Sequence, residues 1–282
     1  MAEILKGKPV ADAMLARMQK TAEALRARGV EPTLCVVRVG ERADDLSYEK
    51  GVIKRCEQVG VALRQVILPE DVSQDEFEAA FEAVNKDPAV HGILLFRPLP
   101  KTLDSERIRK LFDPKKDIDG WTDGSLAGVY ANTDLGFAPC TAQAVLEILR
   151  FYGIDPKGKR ATVIGRSLVI GRPVSMLLMH ANATVTTCHT RTVDVPAIAR
   201  QADILVCAAG VMRSVTEEFT NPDQIVVDVG IHFDEETGKL TGDVDFDRVA
   251  PNVKAITPVP GGVGGVTTCV LLDHVLKAAS AV

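Results

Sequence analysis

Gly165 and Gly171, in "ATVIGRSLVIGRP" (161–173), sit where a short apolar run turns into a helix-like one. Glycines so placed can let a backbone close around a phosphate. The segment is not a GxGxxG fingerprint, because Ser167 takes the second glycine position, and it has no GK[ST] of a P-loop. What remains is a strand, Gly165, a short loop that includes Arg166, Ser167 and Ile170, then Gly171 opening a helix. The amides of that helix start are expected to be free, and free N–H groups together with the helix dipole attract phosphate. A plain strand-to-helix turn fits this stretch equally well.

The end of the following strand adds to the choice. In a dinucleotide fold that prefers NAD, an acidic residue about 20 positions on holds the ribose 2′-hydroxyl. The corresponding "CHTRT" (188–192) has no carboxylate; it offers His189, Thr190, Arg191 and Thr192. Arginine pairs bidentately with phosphate, and a hydroxyl adds a hydrogen bond. Arg166 and Arg191 at two strand ends therefore favour a 2′-phosphate, hence NADP, over the alternative that both are ordinary solvated charges.

Such residues need a scaffold of parallel strands. The chain of 282 residues is long enough for two domains. From 7 to 96 it alternates helix (7–29), strand (33–39), helix (46–60), strand (61–68), serine-capped helix (73–87) and strand (92–96). A glycine-rich stretch (119–138) follows. A second series begins with a helix at 139–153 and continues through strands at 161–165, 183–189, 203–210, 225–231 and 255–262. Strands of nearly pure apolar character are those buried on both faces of a parallel sheet. The expectation is an α/β protein with a domain change near residue 140. Ligands of such sheets bind at the carboxyl ends of the strands, which directs attention to the loops after 165, 189, 210 and 231.

Composition narrows the partners. A formal net charge of −5 gives no electrostatic case for nucleic acid. No apolar run approaches the ~18 residues that cross a bilayer, and "MAEILKGKPV" lacks the basic and apolar regions of a signal peptide. The six cysteines form no CxxC. They read as reduced, mostly buried thiols of a cytoplasmic protein, with no metal site expected.

"VIGRSLVIGRP", "NATVTTCHTRT", "ADILVCAAG", "VVDVGI", "TGDVDF" and "ITPVPGGVGGVTT" closely resemble the methylenetetrahydrofolate dehydrogenase/cyclohydrolase family, FolD. So do "PLP" (98–100), "KDIDG" (116–120) and "PCT" (139–141), and the matches are collinear over nearly the whole chain. The resemblance implies two α/β domains with a cleft between them. A folate-binding catalytic domain would take 1–140 plus 270–282, and a Rossmann-like NADP-binding domain 141–269. It also implies a homodimer and a tetrahydrofolate derivative as substrate. Asp119, the second acid of "DIDG", would grip the pterin; a carboxylate can accept bonds from adjacent N–H donors. Tyr48 matches the active-site tyrosine that packs against the folate. Pro98 and Leu99 match the family's "PLP". Pro260, Gly261 and Gly262 would pass close to the ligands, the glycines admitting the backbone without Cβ interference. Cofactor contacts would fall on Gly165, Arg166, Ser167, Ile170, Gly171, His189, Thr190 and Arg191, and also on Ala209, Gly210, Gly230, Ile231 and Gly264.

The chain departs from the family beside the folate. The family lysine four residues after the tyrosine is Val52 here, its glutamine before "PLP" is Phe96, and its serine three before the tyrosine is Asp45. Oxidising the methylene bridge needs placement and no proton transfer. Hydrolysing the resulting methenyl cation needs a positioned acid–base group, commonly worth ~10²–10⁴ in rate; the family implies that the lysine supplies it. Lys50 and Lys54 each lie two positions from Val52, so a regular helix points them about 160° away. Arg97 is a poor proton carrier, and His91 reads as a surface histidine. The expected function is an NADP-dependent methylenetetrahydrofolate dehydrogenase with cyclohydrolase activity weak or lost. The alternatives are the bifunctional enzyme, a non-catalytic folate- and NADP-binding protein, and a dehydrogenase of similar build such as the shikimate type.

Overall fold

A computed structural model describes residues 2–281, and the chain falls into two compact units. One joins the residues up to Asp12 to Thr141–Thr267; the other joins Ala13–Cys140 to the residues from Thr268 onward. The elements from the amino end are β1 (Glu3–Ile4), α1 (Gly7–Ala27), β2 (Thr33–Val39), α2 (Ala43–Val59), β3 (Ala62–Leu68), α3 (Gln74–Lys86), β4 (Gly92–Leu95), α4 (Ser105–Leu111), α5 (Asp123–Ala131) and α6 (Cys140–Phe151). They continue as β5 (Arg160–Ile164), α7 (Gly171–His180), β6 (Thr184–Cys188), α8 (Val195–Ala199), β7 (Ile204–Cys207), β8 (Ile225–Asp228), β9 (His232–Asp234), β10 (Lys239–Thr241), α9 (Phe246–Val249), β11 (Ala255–Ile256) and α10 (Gly264–Ser280).

In the unit built on Ala13–Cys140, a parallel three-stranded sheet runs β3-β2-β4. All seven residues of β2 are buried, as a central strand rich in β-branched residues should be. Edge strand β3 keeps Arg64 and Gln65 in solvent. The core against the sheet is aromatic: Phe77 stacks on Phe81, and Phe81 meets Phe112 edge-on. α3 is started by a capping box between Ser73 and Glu76. A buried ion pair, Arg38 to Glu49 at 3.0 Å, ties α2 to β2, and Gln65 donates to the other Glu49 oxygen.

The other unit carries a parallel six-stranded sheet in the order β1-β11-β8-β7-β5-β6. β5 pairs with β6 on one side and β7 on the other, so the strand order reverses there. That reversal is the switch point where open sheets bind ligands.

Several local expectations change. The sequence places the first residues in the N-terminal part, but β1 pairs with β11 in the six-stranded sheet; two residues are too short to show a period. The glycine-rich stretch contains α5, because Thr122 caps it by accepting from the Ser125 amide. The last helix starts at Gly264 rather than near 270, so Gly264 is its first residue and not part of a loop; Val282, the last residue of the expected span, lies outside the described residues. His91 is buried, not on the surface: its Nδ1 accepts from the Thr33 amide, and burial holds its pKa below the usual imidazole range.

Candidate active site

On α2, Tyr48 and Val52 are four residues apart and so share a face. Val52 is fully buried, whereas Lys50 and Lys54 are exposed. α2 is continuous through Gly51, so neither lysine is turned toward Val52 by a break. Phe96, just past β4, is buried and meets the Tyr48 ring edge-on at 5.9 Å. Tyr48 keeps 40% of its surface in solvent. Burial around its hydroxyl, then the charge of Asp119, pushes the phenol far above its ordinary range, so it stays protonated. Asp45 faces Arg42 at 3.9 Å. Of the "PLP" residues, Leu99 is buried and Pro98 exposed after a cis Arg97–Pro98 bond.

The two acids of "DIDG" have different duties. Asp117 is fully buried and accepts from the Trp121 and Thr122 amides and the Ser125 hydroxyl, so it builds the turn. Asp119 is one-third exposed and takes a charge-assisted bond from Arg97 at 2.9 Å. The Arg97 guanidinium also lies over the Trp121 ring, 4.9 Å from its centroid. Burial raises the Asp119 pKa above the usual carboxylate range, and Arg97 opposes that rise. Next to it, the Cys140 thiol is pushed well up by burial and then by the charge of Asp119. His274 donates from Nδ1 to the Ile118 carbonyl and is held near 4 by burial, so it is neutral.

Sequence reasoning set Arg97 aside as a proton carrier and so missed it as a partner for Asp119. The signal was present: a charged residue directly before "PLP", in an otherwise apolar strand end. Trp121 and His274 gave no comparable signal.

In the six-stranded unit the glycine turn lies at the switch point. Gly165 has φ +120°, and a Cβ there would run into the Ala208 carbonyl oxygen at the end of β7, so β5 and β7 meet closely at that end. The helix start differs from expectation. The Ser167 hydroxyl accepts from the Ile170 and Gly171 amides, the Arg172 amide bonds the Ser167 carbonyl, and Pro173 has no N–H. The first amides of α7 are therefore occupied, and the free donors are those of the exposed loop 166–169, which make no hydrogen bond among the described residues.

After β6, His189, Thr190, Arg191 and Thr192 form a tight turn in which the Thr192 hydroxyl accepts from the His189 amide and His189 Nδ1 from the Arg191 amide. Arg166 and Arg191 are exposed. The nearest following carboxylate, Asp194, is engaged in capping α8 through the Ala197 amide. These strand ends therefore offer amides and guanidinium groups to an anion, a donor set that suits a phosphorylated ribose. Ala209, Gly210, Gly230 and Ile231 follow β7 and β8, at the same strand ends. Pro260 follows a cis bond, and Gly261 has φ +99°. The Gly261 carbonyl accepts from the Gly7 amide, and Gly262 packs against Pro258.

Among the described residues, no group of three or more His, Cys, Asp or Glu is arranged to hold a metal ion, and no helix is long and apolar enough to cross a membrane. All six cysteines are buried, and none is in a disulfide.

Residues 5–119 match the family model described as the tetrahydrofolate dehydrogenase/cyclohydrolase catalytic domain. Residues 139–282 match the NAD(P)-binding domain of the same description. The chain is 50% identical over 279 residues to the bifunctional protein FolD of Carboxydothermus hydrogenoformans, covering 99% of this chain and 97% of the relative. It is 48% identical over 276 residues to that of Clostridioides difficile, covering 98% and 96%. The crystal structure of the bifunctional FolD enzyme of Campylobacter jejuni superposes with a TM-score of 0.95 at 36% identity, over 100% and 99% of the two chains. The Trypanosoma brucei dehydrogenase-cyclohydrolase, complexed with NADP cofactor and inhibitor, gives 0.90 at 34% identity, over 99% and 98%. Shikimate dehydrogenase of Aquifex aeolicus reaches only 0.51 at 15% identity, over 84% of this chain and 89% of that one, a likeness of fold alone.

Proposed function

The chain belongs to the tetrahydrofolate dehydrogenase/cyclohydrolase family, and we propose that it is an NADP-dependent methylenetetrahydrofolate dehydrogenase whose cyclohydrolase activity is weak or absent. The observation that carries this reading is the lack of an amine on the Tyr48 face of α2. Val52 is fully buried beside Tyr48, Phe96 closes on the tyrosine ring, and Lys50 and Lys54 are in solvent. No amine reaches that face from its own helix.

Bound NADP supplies the hydride acceptor. The chain's part in oxidation is to bind and orient. Asp119 accepts from the pterin N–H donors, and Arg97 keeps that carboxylate charged and aimed. Tyr48, held above by Phe96, offers an aromatic face and a phenol that does not ionise. Orientation of this kind supplies several kcal/mol of a barrier without any proton moving. Hydrolysis of the methenyl cation asks for a base instead, and around Val52 and Phe96 the surfaces are apolar. Pro98 and Leu99 complete the substrate contacts of this unit in this reading. The protein acts as a homodimer in the cytoplasm, where cysteines outside disulfides are at home.

The cofactor preference rests on Arg166 and Arg191 and on the missing carboxylate after β6. Replacing both arginines by alanine is expected to lower kcat/KM with NADP by about 10²-fold or more while leaving NAD nearly unchanged, since each charge-assisted contact is worth ~1.5–3 kcal/mol. Initial rates with the two coenzymes check this.

One purified sample, assayed twice, tests the main reading. With methylenetetrahydrofolate and NADP it should reduce the coenzyme; with methenyltetrahydrofolate alone it should not exceed the spontaneous rate of hydrolysis. Hydrolysis well above that rate would support the bifunctional reading, which the names of the similar FolD proteins favour. Binding of folate and NADP with neither turnover would support a non-catalytic role.

A further inference from the structure

Two carboxylates that the proposed reaction leaves unused, Asp228 and Asp243, are buried together beside the carboxyl ends of β7 and β8. Asp243 Oδ2 accepts from the Gly210 amide at 3.0 Å. Its Oδ1 accepts from the Val211 amide at 3.1 Å and bonds His232 Nε2 at 2.8 Å. Asp228 Oδ1 accepts from the Gly230 and Asp243 amides, and Oδ2 from the Val244 amide. The loops after β7 and β8 are thus drawn to one buried pair of acids.

Packing holds the first loop at Val215 but not nearer the strand ends. Val211 is 57% exposed, Met212 42% and Ile231 63%. With so little apolar burial, the carboxylate bonds set where the loop amides point. The two sequences around the acids fit this duty. A Cβ on Gly230 would overlap Asp243 Oδ1, and a Cβ on Gly242 would overlap Asp228 Oδ2.

We propose that Asp243, braced by Asp228 and His232, is a positioning residue for the nicotinamide half of the coenzyme. A dinucleotide lies across the switch point of such a sheet, one half on each side. The ends of β5 and β6, with Arg166 and Arg191, take the adenosine half in the reading above. The ends of β7 and β8 then face the other half, and their loops are the ones Asp243 fixes. This rests on the coenzyme lying across these strand ends, which binding of 2′,5′-ADP to the wild-type protein tests separately.

The experiment is calorimetric titration of the purified full chain with NADP and with 2′,5′-ADP, a probe of the adenosine half alone. Asp243→Asn places an amide group against the Gly210 and Val211 donors; a donor left unsatisfied costs ~1–3 kcal/mol, so NADP should weaken about tenfold and 2′,5′-ADP by less than about twofold. KM for NADP should rise in step, with kcat at saturation little changed. His232→Gln should shift NADP the same way by less, and it carries the test if Asp243→Asn does not fold. Asp234→Asn is the control. Asp234 is a buried acid on the same hairpin, bonded to Arg213 and to the Glu236 and Thr237 amides; its loss should lower stability without separating the two ligands. The proposal is overturned if the folded variants bind NADP like the wild type, if both ligands weaken equally, or if Asp234→Asn gives the same separation.

Discussion

Val52→Lys combined with Phe96→Gln should raise enzyme-dependent hydrolysis of methenyltetrahydrofolate by about 10²-fold or more, the lower range for a positioned acid–base group. The position is suited to a base. Val52 is fully buried on the Tyr48 face of α2, and burial lowers an amine's pKa toward neutrality by disfavouring its charged form. Val52→Lys alone should gain less, because the buried Phe96 ring can neither donate nor accept a hydrogen bond. The variant should also be less stable than the parent, since a polar group then replaces a packed aliphatic one. Loss of methenyl absorbance above the buffer rate is the measurement. An unchanged rate in a folded double variant would count against the account of this site.

Asp119→Ala should lower kcat/KM for methylenetetrahydrofolate by about 10²–10⁴-fold. Two bonds to a carboxylate are lost at ~1.5–3 kcal/mol each, and Arg97 loses its ionic partner. Arg97→Leu tests the same pair through pH. Burial raises the Asp119 pKa, and the Arg97 charge works against that rise. Without Arg97 the pKa climbs further, so the carboxylate is neutralised at a higher pH and the acid limb of kcat/KM moves upward. Stability follows the same sign. A carboxyl whose folded pKa is raised costs stability once it ionises, so Arg97→Leu should be weaker at neutral pH. That deficit should shrink as pH falls through the folded pKa. A pH profile that stays in place would show that Arg97 does not govern Asp119.

The arrangement of side chains around Tyr48 was legible because it lies in local spacing. Four residues on a helix return to the same face, so Val52 under Tyr48 and the outward turn of Lys50 and Lys54 could be read from the chain. The parallel strands were legible because β7 is apolar along its whole length and β2 is apolar but for Thr33 and Arg38. What depends on partners far along the chain was not. The Arg97–Asp119 pair joins two loops, His91 is buried by accepting from Thr33, and β1 finds β11 some 250 residues later. The start of α7 was misread for a different reason. Helix ends leave amides to be satisfied, but a serine four positions upstream can supply the acceptor itself, and Ser167 does.

The overlap of Gly230 with Asp243, and of Gly242 with Asp228, constrains how this chain can drift. Each glycine is tied to the acid facing it, and the acids are joined through the Asp243 amide. The four positions form one mechanically linked block. A methyl group at Gly242 becomes tolerable only once the Asp228 side chain has shortened, so paired change is the open route there, whereas at Gly230 the Asp243 backbone nitrogen stands in the way whatever side chain follows it.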